Sequence, residues 1–194
     1  MAITKLISID DFRKLVDKVE SERDRIVIKL LFGTGCRVEE LVSTKLEDVD
    51  TVKGEIHLHA SRTKTRQYRD VIIPRSMIPD LEGWVKSLPE GSMWLFPGRD
   101  PSKHISQRWI RMVIDKAARQ AGVQRAYATS KAGKTLNIVS PHTMRHLHAV
   151  HALDRGVPLN DLQQQLGHQS VRTTSIYLTA DINHRKKSYE HFDA

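Results

Sequence analysis

Five residues in three separate segments carry side chains suited to attack on a phosphodiester. Arg37 follows a glycine-rich turn, His142 and Arg145 lie three residues apart, and Tyr177 follows His168 by nine residues. An arginine presents a planar fork of N–H donors that matches two phosphate oxygens. Two such forks can neutralise the charge that grows during phosphoryl transfer, while imidazoles move protons and a phenol acts as nucleophile. The set predicts cleavage of a phosphodiester without a metal ion.

Each of these residues has a simpler interpretation when it is taken alone. An isolated arginine is usually a surface charge, and an isolated tyrosine is usually a half-buried aromatic, as we interpret Tyr68, Tyr127 and Tyr189. A free phenol has a pKa of about 10, so Tyr177 needs nearby cations and an imidazole base to become a nucleophile. The chemical interpretation therefore depends on the residues being brought together.

A basic, threonine-rich segment lies between the first and second of these groups. Lys64 is placed near the tip of a predicted β-hairpin, with Arg62 and Arg66 on either side. A flexible ammonium could reach across a groove and protonate a departing 5′-oxygen. It could equally grip the phosphate backbone, and the spacing does not separate these two roles. Arg62 and Arg66 are interpreted as phosphate-backbone contacts.

The histidine-rich run after Pro141 invites a metal-site interpretation. His142 and His146 have the i, i+4 spacing of a zinc-binding helix. The glutamate that a zinc hydrolase places between them is missing, however, and Arg145 would repel a cation. We therefore predict no metal and no cofactor here. Packing or hydrogen bonding is expected for His146, His148 and His151.

Composition favours one globular domain with a polyanionic partner. The chain has 194 residues, 39% of them hydrophobic, a net charge of +8 and one cysteine, Cys36. No apolar run approaches the ~18 residues of a membrane span, and one cysteine excludes an internal disulfide, so we expect a cytoplasmic protein. Residues 101–153 carry nine basic side chains against the single acid Asp115. This clustering of charge around the histidine and arginine motifs favours a nucleic acid.

Hydrophobic periodicity predicts an α+β, mainly α-helical domain with a small antiparallel β-hairpin. Helices are expected from Ser8, over about 22–32, from Val38, around Leu81, over 106–121, from Pro141 to Gly156, over 159–166, over 171–177 and around 181–190. Alternating residues at 55–59 and 68–73 predict the hairpin. Gly33-Thr34-Gly35 is expected to end the second helix. Residues 123–140 have no clear period and are predicted to be irregular.

With these motifs assembled, the chain resembles the catalytic domain of the tyrosine recombinases, the phage-integrase family. Residues 35–41 are similar to the family's T-G-x-R-x-x-E-L, and residues 142–146 to its H-x-L-R-H with Met144 in place of leucine. The segment 166–168, followed by Tyr177, resembles its L-G-H box and nucleophile. The resemblance covers about residues 8–180, and four motifs in the right order are far more specific than any one of them.

The resemblance implies a role for each of these residues. Arg37 and Arg145 would bind the scissile phosphate, His142 and His168 would assist, and Glu40 would support the first arginine from behind. Lys64 would be the general acid, and Tyr177 would form a 3′-phosphotyrosyl bond. The implied function is site-specific cleavage and rejoining of double-stranded DNA, as in integration or excision of a mobile element, without ATP or metal.

The resemblance also implies an assembly and a domain arrangement. Four protomers would assemble on two DNA duplexes, with a monomer expected in free solution and residues 181–194 docking on a neighbour. We expect residues 1–194 to form the catalytic domain without the family's N-terminal core-binding domain, and hence DNA binding that is weak and sensitive to salt. The alternatives are relaxation of DNA by a type IB topoisomerase, and a DNA-binding relative without catalysis.

Overall fold

The computed structural model of the chain describes residues 7–59, 68–129 and 135–167. Helices and short strands occupy most of these ranges, which confirms the predicted α+β, mainly helical class. None of the helices in them is long and apolar enough to cross a membrane. The α-helices are α1 (Ile9–Asp17), α2 (Glu22–Thr34), α3 (Val38–Val42), α4 (Ile78–Ser87), α5 (Gln107–Gln120), α6 (Pro141–Asp154) and α7 (Leu159–Leu166). The strands are β1 (Val49–Asp50), β2 (Glu55–Leu58), β3 (Arg69–Ile72), β4 (Ala126–Thr129) and β5 (Thr135–Asn137).

Helix α2 is the centre of the hydrophobic core. Its apolar residues from Ile26 to Leu31 are buried on several faces, and it packs against α1, α3, α4, α5 and α6. The helix continues two residues beyond Phe32, and the hydroxyl of its last residue, Thr34, donates to the carbonyl of Leu30 at 2.7 Å. It ends at Gly35, which adopts a left-handed conformation with φ of 67°. The predicted end of this helix within Gly33-Thr34-Gly35 is therefore confirmed.

The predicted hairpin is part of a three-stranded antiparallel sheet. Strands β2 and β3 pair with Ile56 opposite Val71 and Leu58 opposite Arg69, and β1 adds two residues on the other edge of β2. Ile56, Leu58 and Val71 are buried, so one face of the sheet packs on the helices. Arg69, the first residue of β3, is therefore held in the sheet opposite Leu58.

A second hairpin, β4–β5, occupies a region that the sequence predicted to be irregular. Ala126 pairs with Asn137 and Thr129 with Thr135, with a register shift between Ala126 and Ala128. The hairpin is anchored to α5, because Asn137 donates its side-chain amide to Asp115 at 2.8 Å. The prediction was wrong because strand pairing and the contact with Asp115 leave no local period in the sequence.

Helices α6 and α7 carry the second half of the motifs. A small apolar cluster formed by Ala149, Leu153, Leu162 and Leu166 joins the two helices. Gln165 then attaches α7 to the sheet, since its side chain accepts from the backbone N–H of Ile72 at 3.0 Å and donates to the Ile72 carbonyl at 3.0 Å. The end of α7 is thereby held beside strand β3.

Candidate active site

Arg37 is placed by the turn that joins α2 to α3. It is the N-cap residue of α3, and its backbone N–H donates to Oε2 of Glu40 at 2.9 Å. Its guanidinium donates through Nη1 to Oε1 of the same carboxylate at 2.9 Å. The side chain of Arg37 is 23% exposed whereas that of Glu40 is 1% exposed. The carboxylate thus fixes the arginine from the buried side and leaves part of it accessible to an anion from solvent.

Arg145 joins three motifs that are far apart in sequence. From α6 it donates through Nη1 to the carbonyl of Gly35 at 2.7 Å and through Nη2 to the carbonyl of Leu166 at 2.7 Å. Gly35 lies two residues before Arg37, and Leu166 lies two residues before His168. One buried guanidinium therefore fixes the backbone at the first-arginine motif and at the Leu-Gly-His motif.

The two arginines lie within electrostatic reach of each other. Burial, and then the positive charge of Arg37, lower the pKa of Arg145 to about 10. Arg145 therefore remains protonated at neutral pH, although it is buried. Two guanidiniums this close repel each other, and a bound phosphate would relieve that repulsion.

Glu40 is shared by two cations. Besides Arg37, Arg69 donates through Nη2 to Oε2 at 2.7 Å and through Nη1 to Oε1 at 3.2 Å. Burial alone would raise the pKa of Glu40, but the hydrogen bonds and charge of Arg69, followed by those of Arg37, outweigh it and the pKa lies below its ordinary value. Sequence reasoning missed Arg69, because its partner lies 29 residues away and no local pattern marks it.

His142 is exposed on the otherwise buried first turn of α6. Pro141 precedes it at the first helical position, and Ser140 and Thr143 form a capping pair across the helix start. The N-terminal end of a helix carries a partial positive charge that favours an anion. Arg145 is one turn further along the same helix, so the exposed imidazole and the buried guanidinium belong to one rigid element.

A sequence model of the phage integrase family matches residues 5–184. The chain belongs to this family. The matched range contains all four motifs and the basic segment 60–67.

Individual members of the phage integrase family match nearly the whole chain. Tyrosine recombinase XerA of Pyrococcus furiosus is 28% identical over 192 residues, which cover 97% of this chain and 62% of the relative. Tyrosine recombinase XerC of Thermodesulfovibrio yellowstonii is 30% identical over 205 residues, covering 97% of this chain and 62% of the relative. The chain thus spans about three fifths of the length of these curated relatives.

Solved structures have the same fold. The crystal structure of XerA recombinase is similar with a TM-score of 0.75 and 25% identity, over 97% of this chain and 63% of that one. A crystal structure of XerH site-specific recombinase bound to difH substrate gives a TM-score of 0.74 at 20% identity, over 100% of this chain and 56% of that one. The second likeness bears on the fold alone.

The remaining residues that the family resemblance singles out lie outside the described ranges. They are Arg62, Lys64 and Arg66 in the segment 60–67, and His168 and Tyr177 in the segment 168–194, which also contains the predicted helices at 171–177 and 181–190 and the tail 181–194. The described neighbours are His59 and Tyr68 on the first segment and Gly167 on the second. Of the predicted site, the structure brings together Arg37, Glu40 and Arg145.

His148 and His151 of α6 serve hydrogen bonding and packing, as the sequence predicted. His148 donates Nδ1–H to the carbonyl of Phe32 at 2.8 Å, and the ring of His151 lies 5.7 Å from that of Phe32. Burial lowers the pKa of His148 to about 4, so its imidazole is neutral at physiological pH. Within the part of the chain that the structure describes, no three His, Cys, Asp or Glu side chains gather as metal ligands.

Proposed function

We propose that this chain is the catalytic part of a tyrosine recombinase that cleaves and rejoins double-stranded DNA. The observation that supports this most strongly is Arg145, which links the backbone of the first-arginine motif to that of the Leu-Gly-His motif and lies near Arg37. This link supports a phosphate site at which two guanidiniums lie near the backbone that leads to Tyr177. A phosphodiester held there has both of its non-bridging oxygens within reach of a cationic fork.

In the proposed reaction, Arg37 and Arg145 hold the scissile phosphate. The Tyr177 oxygen attacks phosphorus, its proton passes to an imidazole of His142 or His168, and the bond to the 5′-oxygen breaks. Lys64 supplies the proton that the departing 5′-oxygen takes up. The product is a 3′-phosphotyrosyl bond, which a 5′-hydroxyl then attacks to restore the phosphodiester and release the phenol. Because the bond energy is kept in the intermediate, neither ATP nor a metal ion is required.

DNA as the partner is supported by the named relatives. Structural neighbours include a Tn1549 transposon integrase in complex with circular intermediate DNA and a lambda integrase dimer bound to a core site. For this chain we propose a homotetramer on DNA, in which residues 181–194 dock on a neighbour, and a role in integration or excision of a mobile element. Residues 1–194 are proposed to form one catalytic domain, and a cytoplasmic, DNA-associated location stays a prediction.

Trapping the covalent intermediate tests the proposed reaction. A pool of duplexes, randomised around one 5′-bridging phosphorothiolate, is incubated with the protein and run on a denaturing gel. The sulfur leaving group does not rejoin, so the phosphotyrosyl product accumulates and its DNA can be sequenced. We expect a covalent band from the wild type and from Tyr189→Phe, and none from Tyr177→Phe. An equal band from both variants would place the nucleophile elsewhere.

The same substrate separates the two roles considered for Lys64. A thiolate leaves without a proton, so Lys64→Ala should cleave the phosphorothiolate at nearly the wild-type rate if Lys64 is the general acid. On the all-oxygen duplex the same variant should be slower by roughly 10²–10⁴-fold. An equal loss on both substrates would show that Lys64 grips phosphate. Relaxation of a supercoiled plasmid without recombinant product would favour a topoisomerase over a recombinase.

A further inference from the structure

Arg69 is bound to Glu40 by both of its terminal nitrogens. The two N···O distances are 2.7 Å and 3.2 Å, which is the geometry of a two-pronged arginine–carboxylate pair. The side chain of Arg69 is 10% exposed, less than half the exposure of Arg37. Arg69 therefore lies behind Glu40, and Arg37 lies on the accessible side of the same carboxylate.

Arg69 also contacts the end of α7. Its Nε donates to the carbonyl of Gln165 at 3.4 Å. Gly167 approaches the guanidinium so closely that a methyl group at its Cα would lie 2.8 Å from Cζ of Arg69. The side chain of Gln165 holds this helix end in place by its bonds to Ile72 and to the carbonyl of Thr34. One guanidinium thus connects Glu40 with the backbone that leads directly to His168.

The two arginines together determine the orientation of the Glu40 carboxylate. Arg37 makes one hydrogen bond to each oxygen of Glu40, from its backbone N–H and from its guanidinium. The fork of Arg69 fixes the plane of the carboxylate, because both of its oxygens are bound from one side. Glu40 remains ionised, since its pKa is lowered by both arginines despite burial. The orientation of Arg37 is then determined by a group that does not itself face the phosphate.

We propose that Arg69 is a positioning residue, which acts through Glu40 to orient Arg37 and through Gly167 to place the Leu-Gly-His motif. We assign it no catalytic role, because its largely buried guanidinium is bonded to Glu40 and to the Gln165 carbonyl. This inference deepens the proposed function and rests on it. A misplacement of about 1 Å at a reacting group can reduce a rate by about 100-fold, so a residue in this position matters without contacting the substrate.

The decisive variant is Arg69→Lys, which keeps the charge but loses the planar fork. We expect its single-turnover cleavage of an all-oxygen suicide duplex to be about 100-fold slower than that of the wild type. DNA affinity, measured by fluorescence anisotropy, should change by less than about threefold, because Arg69 is not exposed to the backbone. Arg69→Met, which removes the charge as well, should be at least as slow.

Arg23→Lys is the matched control. Arg23 also pairs with a buried carboxylate, that of Asp24 at 2.9 Å, and with a distant carbonyl, that of Pro97 at 3.0 Å. The sequence and the resemblance assign Arg23 no part in the reaction. We therefore expect Arg23→Lys to lower thermal stability by an amount comparable to Arg69→Lys while its cleavage rate stays within about threefold of the wild type.

A neutral methylphosphonate at the scissile position separates positioning from a general loss of structure. Removing the negative charge of one non-bridging oxygen reduces the need for an oriented Arg37, so the deficit of Arg69→Lys should shrink to less than about tenfold. An unchanged deficit on methylphosphonate, wild-type cleavage by Arg69→Lys, or an equal loss in Arg23→Lys would each overturn the positioning role alone. Failure of the wild type to form any covalent product would overturn the proposed function, and this role with it.

Discussion

At the scale of single residues, Arg145 has a structural task besides the phosphate binding that we propose for it. A guanidinium carries five N–H donors, so the bonds to the carbonyls of Gly35 and Leu166 do not exhaust it. Lysine could not do the same, because its ammonium is a point charge on a flexible stem. The buried arginine is thereby oriented before any anion arrives, which lowers the cost of ordering the site when DNA binds.

His148 makes stability depend on pH. Its Nδ1–H bonds Phe32, while Nε2 is buried and has no hydrogen-bond partner among the described residues. Burial, with smaller contributions from the charges of Arg145 and His151, lowers its pKa from 6.5 to about 4. Between these values the unfolded chain binds a proton that the folded protein does not. Stability is therefore complete above about pH 6.5 and falls as the pH drops toward 4, by roughly 3 kcal/mol in total.

Urea unfolding at a series of pH values measures this effect. Other groups titrate in the same window, so the informative quantity is the difference between the wild type and His148→Asn. The asparagine amide can still donate to the Phe32 carbonyl but does not titrate. We expect the variant to lose less stability than the wild type between pH 6.5 and 4. Parallel curves for the two proteins would assign the pH dependence to other residues.

At the scale of elements, the junction between β3 and α7 holds the site together. Gly167 ends α7 in a left-handed conformation with φ of 65°, and it packs against the guanidinium of Arg69. Gly167→Ala should therefore lower the free energy of unfolding for two reasons. The left-handed backbone costs about 1–2 kcal/mol for a residue with a Cβ, and displacement of Arg69 adds about 1–3 kcal/mol. Cleavage should be slowed as well, because Arg69 would no longer hold Glu40 in the same orientation.

Gly122→Ala provides the control for backbone strain. Gly122 follows α5 with φ of 70°, but a methyl group there would meet no described atom within 4 Å. Gly122→Ala should lose only the stability that the left-handed backbone costs, about 1–2 kcal/mol, and its cleavage rate should be unchanged. Unfolding free energies and single-turnover rates of the two variants distinguish the effects. If both variants lose the same stability and cleave equally well, the contact between Gly167 and Arg69 contributes to neither stability nor cleavage.

Sequence patterns predicted those elements whose signal is local. The apolar period of α5, Pro141 at the start of α6, and the alternation of β2 and β3 each lie within one short segment, and all were confirmed. The end of α2 within Gly33-Thr34-Gly35 was also confirmed, because the left-handed conformation at Gly35 is one that glycine adopts readily. Strands β4 and β5 were missed because they depend on pairing with each other and on a bond to Asp115.

In the candidate site too, residues within a local motif were predicted, and a residue with distant partners was not. Arg37, His142 and Arg145 stand in recognisable motifs, and the expected contact between Arg37 and Glu40 is present. Their roles in catalysis stay predictions. Arg69 has no motif of its own, since its function depends on a carboxylate of α3 and a helix end in α7. A residue that acts through others is visible only when the fold brings its partners together.

At the scale of the whole molecule, charge is distributed unevenly along the chain. Residues 1–60 carry ten basic and twelve acidic side chains, whereas residues 101–153 carry nine basic side chains and one acid. The slightly acidic part supplies most of the central core, including α2, and the basic part contributes α5 and α6. The excess of positive charge is therefore concentrated in residues 101–153, which include His142 and Arg145, and it is expected to draw a polyanion toward them.

This distribution predicts that DNA binding by the chain depends steeply on salt. Each phosphate neutralised by a lysine or arginine contributes about −0.9 to the slope of log K against log salt, so about six contacts would reduce affinity by roughly 10³-fold between 50 and 200 mM salt. Fluorescence anisotropy with a duplex recovered from the trapping experiment measures the slope. Arg66→Gln, at a predicted phosphate contact, should reduce it by about one unit, whereas Lys86→Gln, on the exposed face of α4, should leave it unchanged. Tight binding by the wild type at physiological ionic strength would contradict this prediction, and equal slopes for the two variants would show that Arg66 does not contact the backbone.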